Sequence, residues 1–341
     1  MKFATIDCGT TNSRVYIVNE QAEILGKAAK KVGVRDTAIH GSNQVLKDGL
    51  KDTFYQALDN ARCALSDIGF AISSGMITSE IGLLEIPHLW APAGMEDVAQ
   101  HIKKVHDTSI FPVDIPIYFI RGIKNRYEPG NASIKTVGLL DFMRGEEAQI
   151  AGLLSSYDLQ PPLTIVVLSS HTKFISLDQN NKILGSLTTV SGQVYEAILK
   201  ETFLGKSVRA TTEFDDSGYL DHDVIESAYN WVMNSGFLRT LLMPRFLDVL
   251  IKTEWYERKL FVEATIAAED MQAMKQFEVL NFPLDTTFIL IGAEKRCALY
   301  KHLLREKIQL TKEILTITET EEVDLLSIKG AIALAKQAGL F

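Results

Sequence analysis

Two rhythms of apolar residues run through the chain: short runs suited to strands, closed by turn residues, and longer stretches spaced as on a helix. Phe3, Ala4 and Ile6 read as a buried strand ending at Asp7, Gly9-Thr10-Thr11-Asn12 as a turn, and Val15-Tyr16-Ile17-Val18 as the return strand. A turn over Asn19 to Glu23 then leads to Ile24-Leu25-Gly26, a third strand of the same meander. Within 43–62, Val45, Leu46, Leu50, Phe54, Ala57, Leu58 and Ala61 fall at helical spacing and predict a long amphipathic helix. Phe70-Ala71-Ile72 is a short strand running into Ser73-Ser74-Gly75-Met76, and residues 77–94 read as a loop excursion. A charged helix is expected near Glu96 to His106 and a strand at Ile115 to Ile120. From Asp141, the spacing of Phe142, Ala148, Ile150, Ala151, Leu153 and Leu154 predicts another helix.

Pro161-Pro162 is the strongest boundary signal, because two successive prolines cannot continue a helix. Beyond it the opening pattern returns. Leu163 to Leu168 is a buried strand, Ser169-Ser170-His171-Thr172 a polar turn, Phe174 to Leu177 a return strand and Ile183 to Leu187 a third. Residues 192–280 are mostly helical in pattern and read as an insertion. Phe288-Ile289-Leu290-Ile291-Gly292 is a strand feeding a helix from Glu294 to Leu304; Ile314 to Ile317 precedes a last helix over Ser327 to Ala338. The pattern predicts an α/β protein of two domains, residues 1–160 and 161–341, the second carrying the helical insertion.

A length of 341 residues agrees with two domains rather than one core. With 46% hydrophobic and 23% charged residues the composition is that of an ordinary soluble protein. The net charge of −8, with no run of lysine or arginine, argues against nucleic acid as a partner. A small anionic substrate is compatible, since local cations can hold it. Cys8, Cys63 and Cys297 are isolated and odd in number, which fits a reducing cytosol better than a disulfide framework. Asp7 interrupts any leader-like apolar stretch, and no uncharged run reaches the ~18 residues of a membrane span. A cytoplasmic protein with no membrane partner is therefore expected; a homodimer stays open.

Several patterns bear on chemistry. A hairpin tip reading Asp-x-Gly-Thr-Thr can offer backbone N–H groups to phosphate while Asp7 holds hydrated Mg²⁺, though the same residues also make an ordinary polar turn. Leu204-Gly205-Lys206-Ser207 mimics the end of a phosphate-binding loop, but Lys200 stands where its first glycine belongs. His101 and His106, five apart, lack the same-face spacing of a zinc pair and read as surface residues. Trp90, Trp231 and Trp255 are too scattered for a cofactor box and read as packing residues. Glu146 and Glu147 are either reactive carboxylates or acids favourably placed in the first turn of a helix.

Taken in order, Asp7-Cys8-Gly9-Thr10-Thr11-Asn12-Ser13-Arg14, Gly75-Met76-Ile77, Ala91-Pro92-Ala93-Gly94, Met143-Arg144-Gly145-Glu146-Glu147-Ala148-Gln149 and His171-Thr172-Lys173-Phe174 resemble the 2-dehydro-3-deoxygalactonokinase family, within the actin, hexokinase and Hsp70 superfamily of ATP-dependent phosphotransferases. The Arg-Gly-Glu-Glu-x-Gln block is the most specific part of the match. The resemblance implies two ribonuclease-H-like domains with a cleft between them, ATP and Mg²⁺ as cofactors, and phosphorylation of a 2-keto-3-deoxy sugar acid. It implies that Gly9, Thr10, Thr11 and Asn12 face the phosphates with Asp7 near the metal. Ser169, Ser170, His171 and Lys173 are then the second phosphate turn, and Gly292 approaches the adenosine. Gly75, Met76 and Ser79 would lie at the sugar acid, with Arg14 and Arg144 neutralising its carboxylate or the γ-phosphate and Glu146 or Glu147 accepting the hydroxyl proton. The resemblance leaves open a kinase for another small sugar acid, a water-using hydrolase, or a weakly catalytic nucleotide sensor.

The chain departs from the family at four points. Ser169 replaces a glycine, Gln193 a carboxylate, and Glu80 stands in the loop after Gly75. Gly292 is followed by Ala293-Glu294-Lys295-Arg296 where small and hydroxyl residues are usual.

Overall fold

The run Phe3-Ala4-Thr5-Ile6 is buried on both faces of its strand, as an apolar stretch without alternation requires, and it forms the centre of a six-stranded sheet. The computed structural model describes all 341 residues, which fall into two units: residues 1–160, 179–185 and 321–341 in the first, 161–178 and 186–320 in the second. In unit one, β1 (Lys2–Cys8), β2 (Ser13–Asn19) and β3 (Ile24–Lys30) form the expected meander. They are followed by β4 (Ile68–Gly75), β5 (Leu89–Trp90), β6 (Lys103–Val105), β7 (Ile117–Phe119), β8 (Ile123–Lys124) and β9 (Phe142–Met143). The main sheet runs β3-β2-β1-β4-β7-β6, with β2 antiparallel and β4 parallel to β1. The helix Gln44–Ala61 covers it, burying Leu46, Leu50, Phe54, Ala57 and Leu58.

Three expectations need correction here. The helix foreseen to His106 stops at Gln100, because Lys103–Val105 extends and pairs antiparallel with β7 at the sheet edge. The helix foreseen from Asp141 starts at Glu146, since Phe142 and Met143 pair with β8. The last helix starts at Thr320 rather than Ser327, and from Glu321 onward it belongs to unit one, not with the residues that precede it. A seven-residue helix, Val34–His40, was too short to leave a readable period.

The helices Glu146–Ser156 and Thr320–Gln337 meet backbone to backbone. A Cβ on Gly330 would lie 1.6 Å from the Ala148 carbonyl oxygen, and one on Gly152 1.8 Å from that of Leu326. Both obstacles are main chain, so neither can give way by a side-chain rotation. Gly330→Ala should therefore destabilise unit one by about 3 kcal/mol or more, seen as a lower urea midpoint; an unchanged midpoint would show that the helices can separate at no cost. The Tyr157 hydroxyl, donating to Glu322, and the ring of Phe341 on Phe3 and Phe70 dock the same helix further.

Unit two repeats the plan with β10 (Leu163–Leu168), β11 (Thr172–Leu177), β12 (Ile183–Thr189, of which residues 183–185 fall in unit one), β13 (Thr287–Gly292) and β14 (Ile314–Ile317), in the order β12-β11-β10-β13-β14. Each sheet thus places its first three strands as 3-2-1 and adds parallel strands beside the first. The insertion is helical, with Ser191–Glu201, His222–Ser235, Phe237–Phe246 and Trp255–Ala273 as its main helices. A small core of Ile198, Leu204, Val208, Leu241, Val262 and Ile266 holds part of it together. Leu204–Ser207 is a short helix whose Ser207 hydroxyl donates to Asp248, so it forms no phosphate loop. His101 binds the Asp97 carbonyl and His106 pairs with Asp114 at the surface. Of the tryptophans, Trp255 is buried, whereas Trp90 and Trp231 are half-exposed; Trp90 carries the Lys124 ammonium 3.8 Å over its ring.

Candidate active site

Strand register brings the first group of residues together. Asp7 lies opposite Arg14 on β2 and opposite Ser74 on β4, and Cys8 lies opposite Gly75. Because β1 and β4 run parallel, the turn after Asp7 and the loop after Gly75 leave the sheet at the same edge, where ligands of such sheets gather. Gly75 has φ of 93°, and a Cβ there would sit 2.6 Å from the Cys8 carbonyl. Gly145, with φ of 112°, packs so closely that its own Cβ would come 3.3 Å from the Gly75 Cα. Asp7, the Gly75-Met76 loop and the Arg144-Gly145-Glu146-Glu147 block therefore converge within unit one.

The turn itself is fastened from behind. Gly9 N–H donates to Asn12, while the Gly9 and Thr10 carbonyls accept from Val34 and Arg35 at the start of the short helix. The N–H groups of Thr10 and Thr11 are left over, and Thr10 and Asn12 are exposed. Arg14 reaches Asp7 at 3.4 Å and Asp324 of the last helix at 3.5 Å. Burial raises the Asp7 carboxyl above its ordinary range; Arg14 opposes this, and the nearby charges of Asp324 and Glu146 add to it.

Arg144 is a brace in this arrangement. Its Nη1 donates to Thr78 Oγ1 at 2.6 Å and its Nη2 to the Ile86 carbonyl at 2.9 Å, so the guanidinium spans the loop that follows Gly75. Ser79 turns inward, its hydroxyl donating to Met76, and it is only 2% exposed. The Ser79 hydroxyl is thus committed to its own loop, whereas the Arg144 guanidinium keeps N–H donors beyond these two bonds. Arg14, Gly75 and Met76 do lie at the edge beside Asp7.

The two adjacent glutamates differ sharply. Glu146 is half-buried, and one carboxylate oxygen accepts the Arg144 N–H while the other has no protein donor. Glu147 is buried, and both of its oxygens accept the Gly145 N–H at 2.9 Å. Burial, joined by the Glu146 charge, pushes the Glu147 carboxyl up to about 8 against the opposing backbone N–H bonds and Arg144. A carboxyl whose folded pKa is raised contributes stability that is complete below its unfolded pKa, ~4.5, and is lost as pH climbs through the folded value. Glu147→Gln should therefore flatten the fall in stability between about pH 4.5 and 8. Above pH 8 the variant should be more stable than the parent by on the order of a few kcal/mol. Denaturant titrations across this range test the sign, and a variant that loses stability at high pH would refute it.

In unit two, Leu168 pairs with Gly292, so the Ser169-Ser170-His171 turn and the Gly292-to-Glu294 turn share one edge. The Ser169 N–H and hydroxyl both reach the His171 carbonyl, and the Ser170 carbonyl accepts from Gln193. The Lys173 side chain turns into the sheet layer, 6% exposed, donating to Thr188. Next to Gly292 opens a pocket of about 380 Å³ lined by residues of three helices, among them Tyr195, Lys259, Glu263, Lys295 and Arg296. Lys295 bridges Asp216 at 2.9 Å and Glu263 at 3.1 Å, and Lys259 reaches Asp216 at 2.7 Å. The size suits a small organic ligand. Asp216, Lys259, Glu263 and Asp324 carried no signal in the sequence, since each lies in a helix or loop far along the chain from its ion-pair partner.

Two sheets of 3-2-1 meander plus parallel strands, each ending in a polar hairpin turn, define the ribonuclease-H-like, actin-like ATPase fold. The chain belongs to the 2-keto-3-deoxy-galactonokinase family, whose model matches residues 7–323. A Rhizobium meliloti (strain 1021) protein named "Probable 2-dehydro-3-deoxygalactonokinase DgoK1" is 24% identical over 216 residues, 62% of this chain and 61% of its own length. The match thus spans less than two thirds of that relative. A Sinorhizobium meliloti protein provisionally named 2-dehydro-3-deoxygalactonokinase shares the fold at a TM-score of 0.71, with 20% identity over 98% of each chain. Component A of (R)-2-hydroxyglutaryl-CoA dehydratase from Acidaminococcus fermentans aligns over 99% of each chain at 12% identity and a TM-score of 0.50. No helix is long and apolar enough to cross a membrane.

Proposed function

We propose that the protein transfers the γ-phosphoryl group of ATP to a hydroxyl of a 2-keto-3-deoxy sugar acid, with 2-dehydro-3-deoxy-galactonate as the foremost candidate. The observation that carries this reading is the meeting of Asp7, Gly75 and Gly145-Glu146 at one sheet edge in a chain of this family.

The donor set fits a magnesium ion that comes with its nucleotide. No cluster of three His, Cys, Asp or Glu side chains is spaced to hold a metal, so an all-protein cage is absent. Asp7 ends its strand directly before the turn whose Thr10 and Thr11 N–H groups are left over, which sets a single carboxylate beside a phosphate-ready turn. Magnesium characteristically takes one or two carboxylates and completes its shell with phosphate oxygens and water, and Asp7 is the residue placed to supply that carboxylate. When bound, it spreads the charge of the β- and γ-phosphates.

The chain's own residues do the rest. The spare N–H groups of Thr10 and Thr11 receive phosphate oxygens, and Arg14 balances Asp7 and Asp324 so that the turn keeps its shape. Glu146, with a carboxylate oxygen unclaimed by the protein, accepts the proton of the attacking hydroxyl. Arg144 holds the Gly75 loop against that carboxylate. A coupled ADP-release assay over a panel of keto-deoxy sugar acids tests the proposal: sugar-dependent turnover supports it. ATP binding without turnover on any of them points to a sensor, and turnover without sugar to a hydrolase.

A further inference from the structure

Four charged side chains, Lys259, Glu263, Lys295 and Arg296, line the pocket of unit two, and they are not equivalent. Lys259 and Lys295 are each ion-paired, sharing Asp216, with Glu263 closing on Lys295. Burial alone pushes the Asp216 carboxyl up, but the two lysines pull it below its ordinary range, which marks these charges as mutually satisfied. Arg296 is different. Its Nη1 donates to the Ser169 carbonyl at 2.7 Å and its Nη2 to Thr172 Oγ1 at 2.9 Å, both neutral oxygens, and it pairs with no carboxylate.

A guanidinium has five N–H donors, so three remain after these two bonds. The positive charge faces no carboxylate, lies 5.6 Å over the Tyr300 ring, is half-buried, and lines the pocket while bonded to the Ser169-Ser170-His171 turn. At its first position that turn lacks the close backbone approach a glycine would allow: residue 169 carries a side chain, and its N–H is already bound to the His171 carbonyl. The cation closest to it is Arg296.

We infer that Arg296 is a nucleotide-phosphate ligand of this chain. It joins the pocket beside Gly292 to the second turn and supplies through its side chain the anion recognition that the Ser169 backbone does not. This rests on the proposed use of ATP, and it assigns to Arg296 the phosphate chain rather than the nucleoside.

Calorimetric titration of the full-length protein with ATP, ADP, adenosine and tripolyphosphate separates the possibilities. Arg296→Gln should weaken ATP, ADP and tripolyphosphate by about 10- to 100-fold, the loss expected for charge-assisted hydrogen bonds, while adenosine stays within about twofold. Arg296→Lys should recover part of the loss, because it returns the charge without the fork. Retained adenosine binding also shows that the variant is folded. Equal loss for adenosine and ATP would make Arg296 a strut of the turn and overturn the inference; so would unchanged ATP affinity. A parent protein that binds adenosine and ATP but phosphorylates no sugar acid, with the Arg296→Gln pattern intact, would sink the proposed reaction and leave this assignment standing. One that binds none of the four ligands removes both.

Discussion

Asp7→Ala is expected to lower sugar-dependent ADP release by at least about 10³-fold while leaving the protein folded. The size follows from the role: a carboxylate that holds the cation acting on the developing phosphate charge works in the transition state, where losing one such electrostatic contact costs about 10²–10³ or more. The fold should survive because the substitution removes little that stabilises it. Arg14 keeps Asp324 at 3.5 Å, and the Asp7–Arg14 pair is about one third exposed, a class of ion pair worth at most about 1 kcal/mol. Removing a carboxyl whose proton affinity is raised by burial also relieves a cost. Turnover and a melting curve measured on the same sample decide the matter: a folded variant with near-normal turnover would exclude Asp7 from the chemistry.

Glu146→Gln should reduce kcat by about 10²–10⁴, the span of general-base catalysis, with ATP affinity held within about twofold. Glu147→Gln should leave kcat within a few-fold. The contrast comes from geometry before acidity. Glu147 is folded back onto the Gly145 N–H and buried, with a carboxyl held up near 8, whereas Glu146 keeps one oxygen unclaimed at the edge shared with Asp7. Steady-state kinetics on both variants beside ATP titrations give the test. Equal and minor effects would clear both acids of the base role, and a larger loss in Glu147→Gln would reverse the assignment.

How far these roles could be read from the chain depends on how local their causes are. The Asp7 turn and the Ser169 turn were legible because each follows a continuous apolar strand and precedes another, so position along the chain and position at the sheet edge coincide. The core of the helix Gln44–Ala61 was legible for the same reason: its period is written in consecutive turns. Glu146 and Glu147 were not separable, since neighbouring helical residues point about 100° apart and only the packing of the helix decides which one faces inward. The edge strand Lys103–Val105 was lost inside a predicted helix, because three residues carry no period and its pairing partner lies beyond the next loop. Arg144 was legible as important but not as a brace; Thr78 and Ile86, which hold it, lie some 60 residues earlier. Asp324 and Arg296 reach their turns from distant segments, and no local pattern announces such a meeting.

The crossing at Gly152 and Gly330 also has a temporal meaning. A ribosome delivers the first 160 residues long before it delivers residues 321–341, yet the helix Glu146–Ser156 needs that final segment to cover its exposed backbone and apolar side. Most of unit two emerges in between as one nearly continuous stretch, free to condense first. Unit one is thus closed only after unit two has been made, and Arg14 brings Asp324 beside Asp7 from more than 300 residues further along the chain.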